Sequence, residues 1–267
     1  MRIKANFHAP KLPILYRHRF MALIKDALNR SDPDYKKQLY PDKNSSFSKK
    51  AKPFTFSVSM PPAKIIKKEK FFLEGDVEVE ENVFYFPKSF LSFYVSSSNY
   101  QFMVNLYNGL LEMKEFKFSD DVSLKLDRVF MLNEKKILGD EAVFKTNSPI
   151  LIEDKNGKPL LPIDDLKAFN AHFNAIHDGI LQDVRAEGNK KGQGLQRELE
   201  LIPLKLRKQV VKHTLRGFRE KTGKPYMTFT CFEGCFKLKG DPRDLQMLYQ
   251  IGIGLRTGQG FGMVEAI

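Results

Sequence analysis

The stretch Gly252-Ile-Gly254-Leu-Arg256-Thr-Gly258-Gln-Gly260-Phe-Gly262 decides how the last elements of the chain connect. It follows a helix-like pattern over 241–250 and precedes an apolar, strand-like run over 261–267. Phosphate loops of nucleotide-binding folds have the opposite order, because they follow a strand and open a helix. The spacing Gly-x-Gly-x-x-Gly also fails, since Thr257 occupies the third glycine position. We therefore predict a connector that grips a sugar-phosphate backbone from outside, rather than a nucleotide cofactor.

The charge of the chain points to a polyanionic partner. Its 267 residues include 44 lysines and arginines against 32 aspartates and glutamates, which gives a formal net charge of +12. Such a balance is typical of nucleic-acid binding, although a lysine-coated soluble surface would carry the same charge. Hydrophobic residues make up 42% of the chain, enough for a core, yet no apolar run is long enough to cross a membrane. We predict a cytoplasmic protein that binds nucleic acid and no membrane.

Neither the cysteines nor the histidines suggest a metal site. Cys231 and Cys235 are four apart on a predicted strand, where they share a face but lie too far apart for a disulfide. A zinc site would need a second pair of ligands close by, and the sequence offers none. His172 and His177 are five apart on a predicted helix and do not share a face. We expect no metal and no cofactor.

Hydrophobic periodicity predicts one complete fold in the first half of the chain. Apolar residues alternate where strands are expected and recur every three or four residues where helices are expected. A shorter helix follows the first one and runs to Tyr40, and a hairpin is expected around the acidic residues 76–81. The predicted order is strand–helix–strand–hairpin–helix–strand, over 1–8, 16–28, 54–60, 70–75 with 82–87, 99–113 and 122–132.

The second half repeats this order without visible sequence identity. Its elements are an extended segment, a long helix, two long strands, a short helix and a final strand, over 142–152, 162–182, 199–216, 226–239, 241–250 and 261–267. The order β-α-β-β-α-β is that of ferredoxin-like and RNA-recognition folds. We predict an α+β protein of two tandem ferredoxin-like (RRM-like) βαββαβ domains, residues 1–139 and 140–267.

Three motifs carry a resemblance to one family. The most specific is the stretch 252–262, whose end runs on as Gly260-Phe-Gly-Met-Val-Glu265. Lys52-Pro-Phe-Thr-Phe-Ser57 follows the first helical segment, and Thr146-Asn-Ser-Pro-Ile-Leu-Ile152 opens the second half. Together with paired ferredoxin-like domains and a basic surface, they resemble the CRISPR-associated endoribonucleases of the Cas6 family, in the RAMP superfamily. The resemblance spans essentially the whole chain.

The resemblance implies metal-independent cleavage of precursor CRISPR RNA within its repeats. In this family the ribose 2′-hydroxyl attacks the adjacent phosphate and leaves a 2′,3′-cyclic phosphate and a 5′-hydroxyl. Many members have a tyrosine in the first helix, a histidine near the end of the second helical segment and a lysine before the Phe-Thr-Phe-Ser strand. The corresponding positions here are Lys25, Tyr40 and Lys52, so only the lysine matches.

We expect each of these three side chains to have a separate role. Lys52 would stabilise the phosphorane, Lys25 would act as the base, and Tyr40 would orient the 2′-hydroxyl or donate to the leaving oxygen. His18, at the start of the first helix, is a reserve catalytic candidate. An ordinary surface lysine or a tyrosine at a helix end would look the same in the sequence.

Repeat RNA is the expected partner, with other CRISPR effector subunits and a second copy of the chain as further options. Basic or glycine-rich segments are expected to contact the RNA, since double-stranded RNA is read mainly through shape and phosphates. The candidate RNA-binding residues are Ser46, Lys49, Lys50, Lys190, Lys191, Lys205, Arg207, Lys208, Lys212, Arg216, Arg219, Gly252, Gly254, Arg256, Gly258, Gly260 and Gly262.

Two other functions fit the same sequence. Because Tyr40 stands where many members have histidine, the protein could be a catalytically weak or inactive relative that binds repeat RNA. It could also be a structural RNA-binding subunit of a CRISPR effector complex, or an unrelated RNA-binding protein with paired ferredoxin-like domains. Cleavage of free repeat RNA separates an enzyme from both.

Overall fold

A computed structural model describes residues 1–41, 50–73, 77–188 and 190–267. Within these ranges, no helix has the length and apolar character needed to span a bilayer. A short 3-10 turn, Thr257–Gln259, lies in the glycine-rich stretch. The other elements, in chain order, are β1 (Arg2–His8), β2 (Lys11–Pro13), α1 (Arg17–Ser31), α2 (Pro33–Leu39), β3 (Phe54–Ser59), β4 (Ile65–Phe72), β5 (Glu78–Tyr85), β6 (Phe90–Ser97), α3 (Tyr100–Met113), β7 (Glu115–Lys117), β8 (Ser123–Leu132), β9 (Glu141–Thr146), α4 (Leu166–Val184), β10 (Glu200–His213), α5 (Arg216–Thr222), β11 (Met227–Lys239), α6 (Pro242–Ile251) and β12 (Val264–Ala266).

The first ferredoxin-like domain is built on a five-stranded sheet of order β3-β6-β1-β8-β7. β1 lies antiparallel between β6 and β8. Helix α1 buries the stripe Phe20, Leu23 and Ile24, and it packs closely against α3. A Cβ at Gly109 of α3 would lie only 1.9 Å from the carbonyl oxygen of Ala27, so this approach requires glycine. The predicted βαββαβ fold is confirmed.

The predicted hairpin does not supply the third strand of this domain. That strand is β6, in which Leu91, Phe93 and Val95 alternate towards the core. β4 and β5 instead form an inserted hairpin that pairs with β2 in a separate three-stranded sheet. Residues 78–81, expected in the turn, lie in β5, where carboxylates face lysines of β4. Periodicity alone does not identify a strand's partner, so it cannot distinguish an inserted hairpin from a strand of the main sheet.

The second domain repeats the topology with the sheet order β10-β11-β9-β12. The two long predicted strands are confirmed as β10 and β11, and helix α5 joins them. β11 pairs with β9 only over 235–239, whereas it pairs with β10 over almost its whole length. The far part of the β10–β11 hairpin therefore extends past the four-stranded sheet, towards the first domain.

The two domains have separate hydrophobic cores and a common buried joint. Arg2 of β1 is 2% exposed and pairs with Glu265 at 2.7 Å. Its guanidinium also donates to the carbonyl oxygens of Tyr249 at 2.9 Å and Val264 at 2.6 Å. Burial lowers the pKa of Arg2, and the three acceptors compensate for the lost hydration. Residues from both ends of the sequence thus hold the domains together.

Candidate functional site

Three side chains predicted to be catalytic lie together at one end of the domain joint. Lys25 comes from α1, Tyr40 directly follows α2, and Lys52 precedes β3. The Lys25 Nζ lies 4.7 Å from the centroid of the Tyr40 ring, and the Lys52 Nζ lies 5.2 Å from it. We call these three residues the Lys–Tyr–Lys cluster. Two ammonium groups that share one aromatic ring provide a concentrated positive charge suited to a phosphate.

The protonation of the cluster is shaped by burial. The Lys52 Nζ donates to the carbonyl oxygen of Leu39 at 2.6 Å. Loss of hydration, with a further contribution from Lys25, lowers the pKa of Lys52. Burial also raises the pKa of the Tyr40 phenol well above its usual value, so this hydroxyl keeps its proton at neutral pH. Tyr40 is therefore suited to donate a hydrogen bond and not to accept a proton.

The structure places His18 apart from the cluster, and its role as a reserve catalytic residue stays a prediction. It lines an open cavity of about 550 Å³ beside β4 and the 117–122 segment, and no member of the Lys–Tyr–Lys cluster lines that cavity. A helix rises about 1.5 Å per residue, so two turns of α1 carry His18 well away from Lys25. Ser46 and Lys49 lie outside the described residues, and Lys50 is half-buried beside the cluster segment.

The glycine-rich stretch is packed between the domains, which corrects the expectation that all its glycines contact RNA. Gly252, Gly254, Gly260 and Gly262 are buried. A Cβ at Gly260 would lie 2.7 Å from the Phe56 ring, and its φ of +87° also favours glycine. Gly252 and Gly260 approach Thr55 and Phe56 of the first domain, whereas Gly254 and Gly262 pack closely within the second domain.

Arg256 and Gly258 form the part of the stretch that reaches the surface. Arg256 is exposed, with its guanidinium 4.8 Å from the centre of the Phe229 ring. Gly258 is half-buried against the aliphatic part of Lys52. Gly258 therefore lies directly beside Lys52 of the Lys–Tyr–Lys cluster.

The predicted basic hairpin is only partly available to a ligand. Lys205, Arg207 and Lys208 on β10 are exposed, although Arg207 pairs with Glu233 at 2.6 Å. Arg216 is exposed and pairs with a glutamate one turn along α5. These exposed cations of the hairpin stay candidates for phosphate contacts.

Lys212 and Arg219 were predicted to bind RNA, but the structure pairs both side chains within the protein. Lys212 forms an ion pair with Glu81 of β5, and the hydroxyl of Tyr226 donates to the same carboxylate at 2.6 Å. Arg219 is buried and donates to Thr214 Oγ1 at 2.9 Å. Both side chains hold the hairpin and its turn in place. Lys212 in particular fastens the hairpin to the first domain.

Lys190 and Lys191 are exposed on a loop close to the Lys–Tyr–Lys cluster. The backbone N–H of Gly192 donates to Gln182 O at 2.9 Å, which brings the loop back to the end of α4. The next residue, Asp183, accepts a hydrogen bond of 3.0 Å from the backbone N–H of Ala51. The loop lysines and the cluster segment thus share one neighbourhood, although they are far apart in sequence.

Sequence reasoning missed two residues that shape this region. Asp183 gave no sequence signal, because a carboxylate near a helix end is commonly a solvated residue. His177 is fully buried: its Nδ1 donates to Phe173 O at 2.7 Å, and its Nε2 accepts from Gly254 N at 2.8 Å. His177 therefore anchors the glycine-rich stretch to α4. Only the apolar stripe on either side of this histidine hinted at its burial.

Comparison with known families identifies this arrangement. The family model described as "CRISPR associated protein Cas6, C-terminal" matches residues 132–266, the second domain with its glycine-rich stretch. The chain belongs to the Cas6 family. The resemblance found in its sequence is therefore confirmed.

Relatives of this Cas6-family protein cover nearly its whole length. It is 26% identical over 276 residues to "CRISPR-associated endoribonuclease Cas6 1" of Methanocaldococcus jannaschii, an alignment that covers 99% of this chain and 92% of the relative. Among solved structures, "An RAMP protein binding different RNA substrates" has a TM-score of 0.71 at 21% identity. A Cas6-related protein from Pyrococcus furiosus has a TM-score of 0.66 at 19% identity. Both alignments cover 100% of this chain and 99% of the other, and they establish the shared fold.

Proposed function

We propose that this Cas6-family protein is an endoribonuclease that processes precursor CRISPR RNA by cutting within its repeats. The observation that carries the proposal is the Lys–Tyr–Lys cluster, in which two lysines approach the ring of one tyrosine. The similarity to the M. jannaschii protein, a CRISPR-associated endoribonuclease, supports the same activity. We expect the protein to act in the cytoplasm, where its RNA substrate is made.

The proposed reaction is a transesterification that requires no metal ion. The 2′-oxygen of one ribose forms a bond to the adjacent phosphorus, and the bond from phosphorus to the 5′-oxygen breaks. A proton leaves the 2′-hydroxyl, and another reaches the 5′-oxygen. The products are a 2′,3′-cyclic phosphate and a 5′-hydroxyl. The protein must therefore move two protons and stabilise the extra negative charge of the phosphorane.

Each side chain of the Lys–Tyr–Lys cluster suits one of these tasks. Lys52 is the proposed proton acceptor, because its lowered pKa increases the share of neutral amine near neutral pH. This reverses the roles expected from the sequence, where Lys25 was the base. Lys25 then supplies the ammonium that stabilises the phosphorane. Tyr40, whose raised pKa keeps its proton in place, donates to the leaving 5′-oxygen.

We propose that the two domains divide the work, with the boundary between residues 139 and 140. The first domain carries the Lys–Tyr–Lys cluster, and the second contributes Arg256 at the tip of the glycine-rich stretch. Exposed cations on both sides of the cluster would guide the RNA backbone towards it. The residues proposed to contact RNA are Lys50, Lys190, Lys191, Lys205, Arg207, Lys208, Arg216, Arg256 and Gly258.

The decisive experiment is cleavage of a repeat RNA from the same genome in the presence of EDTA. A matched RNA carries a single 2′-deoxy nucleotide at the cut site. We expect one cut in EDTA, a cyclic phosphate on the 5′ product, and no cut in the deoxy substrate. Cleavage that requires a divalent ion, or that survives the deoxy substitution, would contradict the mechanism. Lys37→Ala, an exposed change on α2, is the matched control and should cut normally.

A catalytically weak repeat-binding relative is the second candidate, since Tyr40 stands where many members have histidine. Tyr40→His distinguishes the two. If the natural protein binds repeat RNA tightly and cuts poorly, this change should increase the rate strongly. If the natural protein cuts well through the Tyr40 hydroxyl, the change should alter the pH dependence without a large gain. Assembly on guide RNA with other subunits, without cleavage, would instead indicate a structural role.

A further inference from the structure

The segment that carries Lys52 is held from outside its own domain. Asp183, in the last turn of α4, accepts a hydrogen bond of 3.0 Å from the backbone N–H of Ala51. The two residues are 132 positions apart and belong to different domains. A carboxylate that accepts from a backbone N–H forms a charge-assisted bond, roughly twice as strong as a neutral one. Asp183 therefore fixes the backbone at Ala51, the residue before Lys52, just ahead of β3.

The glycine-rich stretch confines the same lysine from another side. A Cβ at Gly258 would lie 3.3 Å from the Cβ and the Cγ of Lys52, and 3.3 Å from the ring of Phe54. These separations are tighter than ordinary contacts, so any side chain at 258 would press on the lysine stem. The ammonium end is fixed in turn by the carbonyl oxygen of Leu39 at 2.6 Å. Backbone, stem and ammonium of Lys52 each have a separate constraint.

We infer that Asp183 and Gly258 are positioning residues for Lys52, through which the second domain sets the geometry of a reaction carried out in the first. This inference rests on the proposed function of the Lys–Tyr–Lys cluster. Neither residue touches the reacting atoms. Their effect is to keep one amine in a half-buried place beside Tyr40 and Lys25. A small displacement of a catalytic group can reduce a rate by up to about a hundredfold.

Asp183→Ala and Asp183→Asn form a matched pair for the test, because asparagine keeps an oxygen that can accept from Ala51. In single-turnover cleavage of repeat RNA, we expect Asp183→Ala to reduce the rate about tenfold and Asp183→Asn to reduce it much less. The affinity for RNA should stay within about twofold of the natural protein in both. The rising limb of the pH–rate profile should move to higher pH in Asp183→Ala, since a less confined Lys52 regains hydration.

Gly258→Ala tests the second contact, with Gly179→Ala as its control. Both glycines lack a positive φ, but nothing lies within 4 Å of a Cβ added at Gly179. We expect Gly258→Ala to reduce the cleavage rate and Gly179→Ala to leave it unchanged. In a Lys52→Ala background, Asp183→Ala and Gly258→Ala should have no further effect on the rate, because their target is gone.

Amide hydrogen exchange of a peptide that spans residues 50–54 gives a readout independent of cleavage. Asp183→Ala should speed exchange at Ala51, and Asp183→Asn should largely preserve protection. If the natural protein does not cut, the proposed function fails, and the exchange measurement alone decides whether Asp183 constrains this segment. Unchanged exchange in Asp183→Ala, or a natural cleavage rate and pH profile in an active enzyme, would overturn the inference.

Discussion

The hydroxyl of Thr55 in β3 donates a hydrogen bond of 2.8 Å to the carbonyl oxygen of Phe261, 206 residues later in the chain. Both residues are fully buried, and the bond crosses the joint between the two domains. On the same side, the Thr55 side chain occupies the space next to Gly252. One residue of the Phe-Thr-Phe-Ser motif and one of the glycine-rich stretch are thus direct partners. Two of the three motifs that resemble the Cas6 family therefore form one structural unit.

Thr55→Val should destabilise the protein by about 2 kcal/mol. The valine has nearly the same shape but no donor, so the Phe261 carbonyl loses its side-chain partner in a dry interface. Urea unfolding of the two proteins measures the difference. Thr55→Ser keeps the hydroxyl and should therefore lose less stability than Thr55→Val. Equal stability of the valine variant and the natural protein would mean that this bond contributes nothing to the joint.

The stability of the protein should fall as the pH drops from about 6.5 towards 4, in part because of His177. Burial lowers the pKa of His177 to about 4, and its Nε2 must be unprotonated to accept from Gly254. Since the unfolded histidine binds a proton near pH 6.5, acid favours the unfolded state. The difference of 2.5 between these two pKa values corresponds to a loss of about 3 kcal/mol in the free energy of unfolding.

Free energies of unfolding at several pH values between 4.5 and 7.5 test this expectation. His177→Gln keeps an oxygen that can accept from Gly254, and it should flatten the pH dependence while lowering stability at pH 7.5. His172→Gln, an exposed change on the same helix, should leave the pH dependence unchanged. An identical pH dependence in the natural protein and in His177→Gln would show that protonation of His177 does not limit acid stability.

Lys52→Arg should separate proton transfer from charge. Arginine keeps the positive charge but stays protonated at any useful pH, so it cannot act as a base. If Lys52 accepts the 2′-hydroxyl proton, the single-turnover rate should fall by about a hundredfold and its rise with pH should disappear. Lys25→Arg preserves the proposed charge and should therefore reduce the cleavage rate less than Lys52→Arg does. A Lys52→Arg enzyme with the natural pH profile would assign Lys52 a purely electrostatic role.

Lys205 and Lys208 should contribute to RNA affinity through phosphate contacts. For each lysine replaced by glutamine, the slope of log affinity against log salt concentration should become shallower by about 0.7 to 0.9. Filter binding or fluorescence anisotropy at several salt concentrations measures this slope. Lys212→Gln is the control, because Lys212 is already paired with Glu81. That change should reduce stability and leave the salt slope nearly unaltered.

The candidate site was predictable only in part. Lys25, Tyr40 and Lys52 were located through family motifs, and the structure brings them together around one ring. Their protonation was not predictable, since the lowered pKa of Lys52 depends on burial that no local pattern encodes. The surroundings of His18 were not predictable for a related reason. Its place on α1 was correct, but the face it occupies depends on how the inserted hairpin packs.

Local sequence determined the elements of this protein and their order. Alternation and helical spacing are set by contacts between near neighbours, so α1, α3, β10 and β11 could be read directly. The alternation of Leu91, Phe93 and Val95 is also visible in the sequence, but the same periodicity in the neighbouring hairpin predicts a sheet strand there instead. Periodicity predicts that a strand exists and which of its faces is buried, but it does not identify the neighbouring strand with which it pairs.

Tertiary structure alone decided what those elements meet. The stretch 252–262 was predicted to grip RNA because its glycines and arginine suit close approach to a phosphate. In the folded protein Gly252 and Gly260 approach Thr55 and Phe56 instead, Gly254 and Gly262 approach residues of their own domain, and Gly258 lies against Lys52. Glycine permits close contact with any partner equally well. Which partner fills that space depends on residues some 200 positions away along the chain, and only the packing of the two domains brings them together.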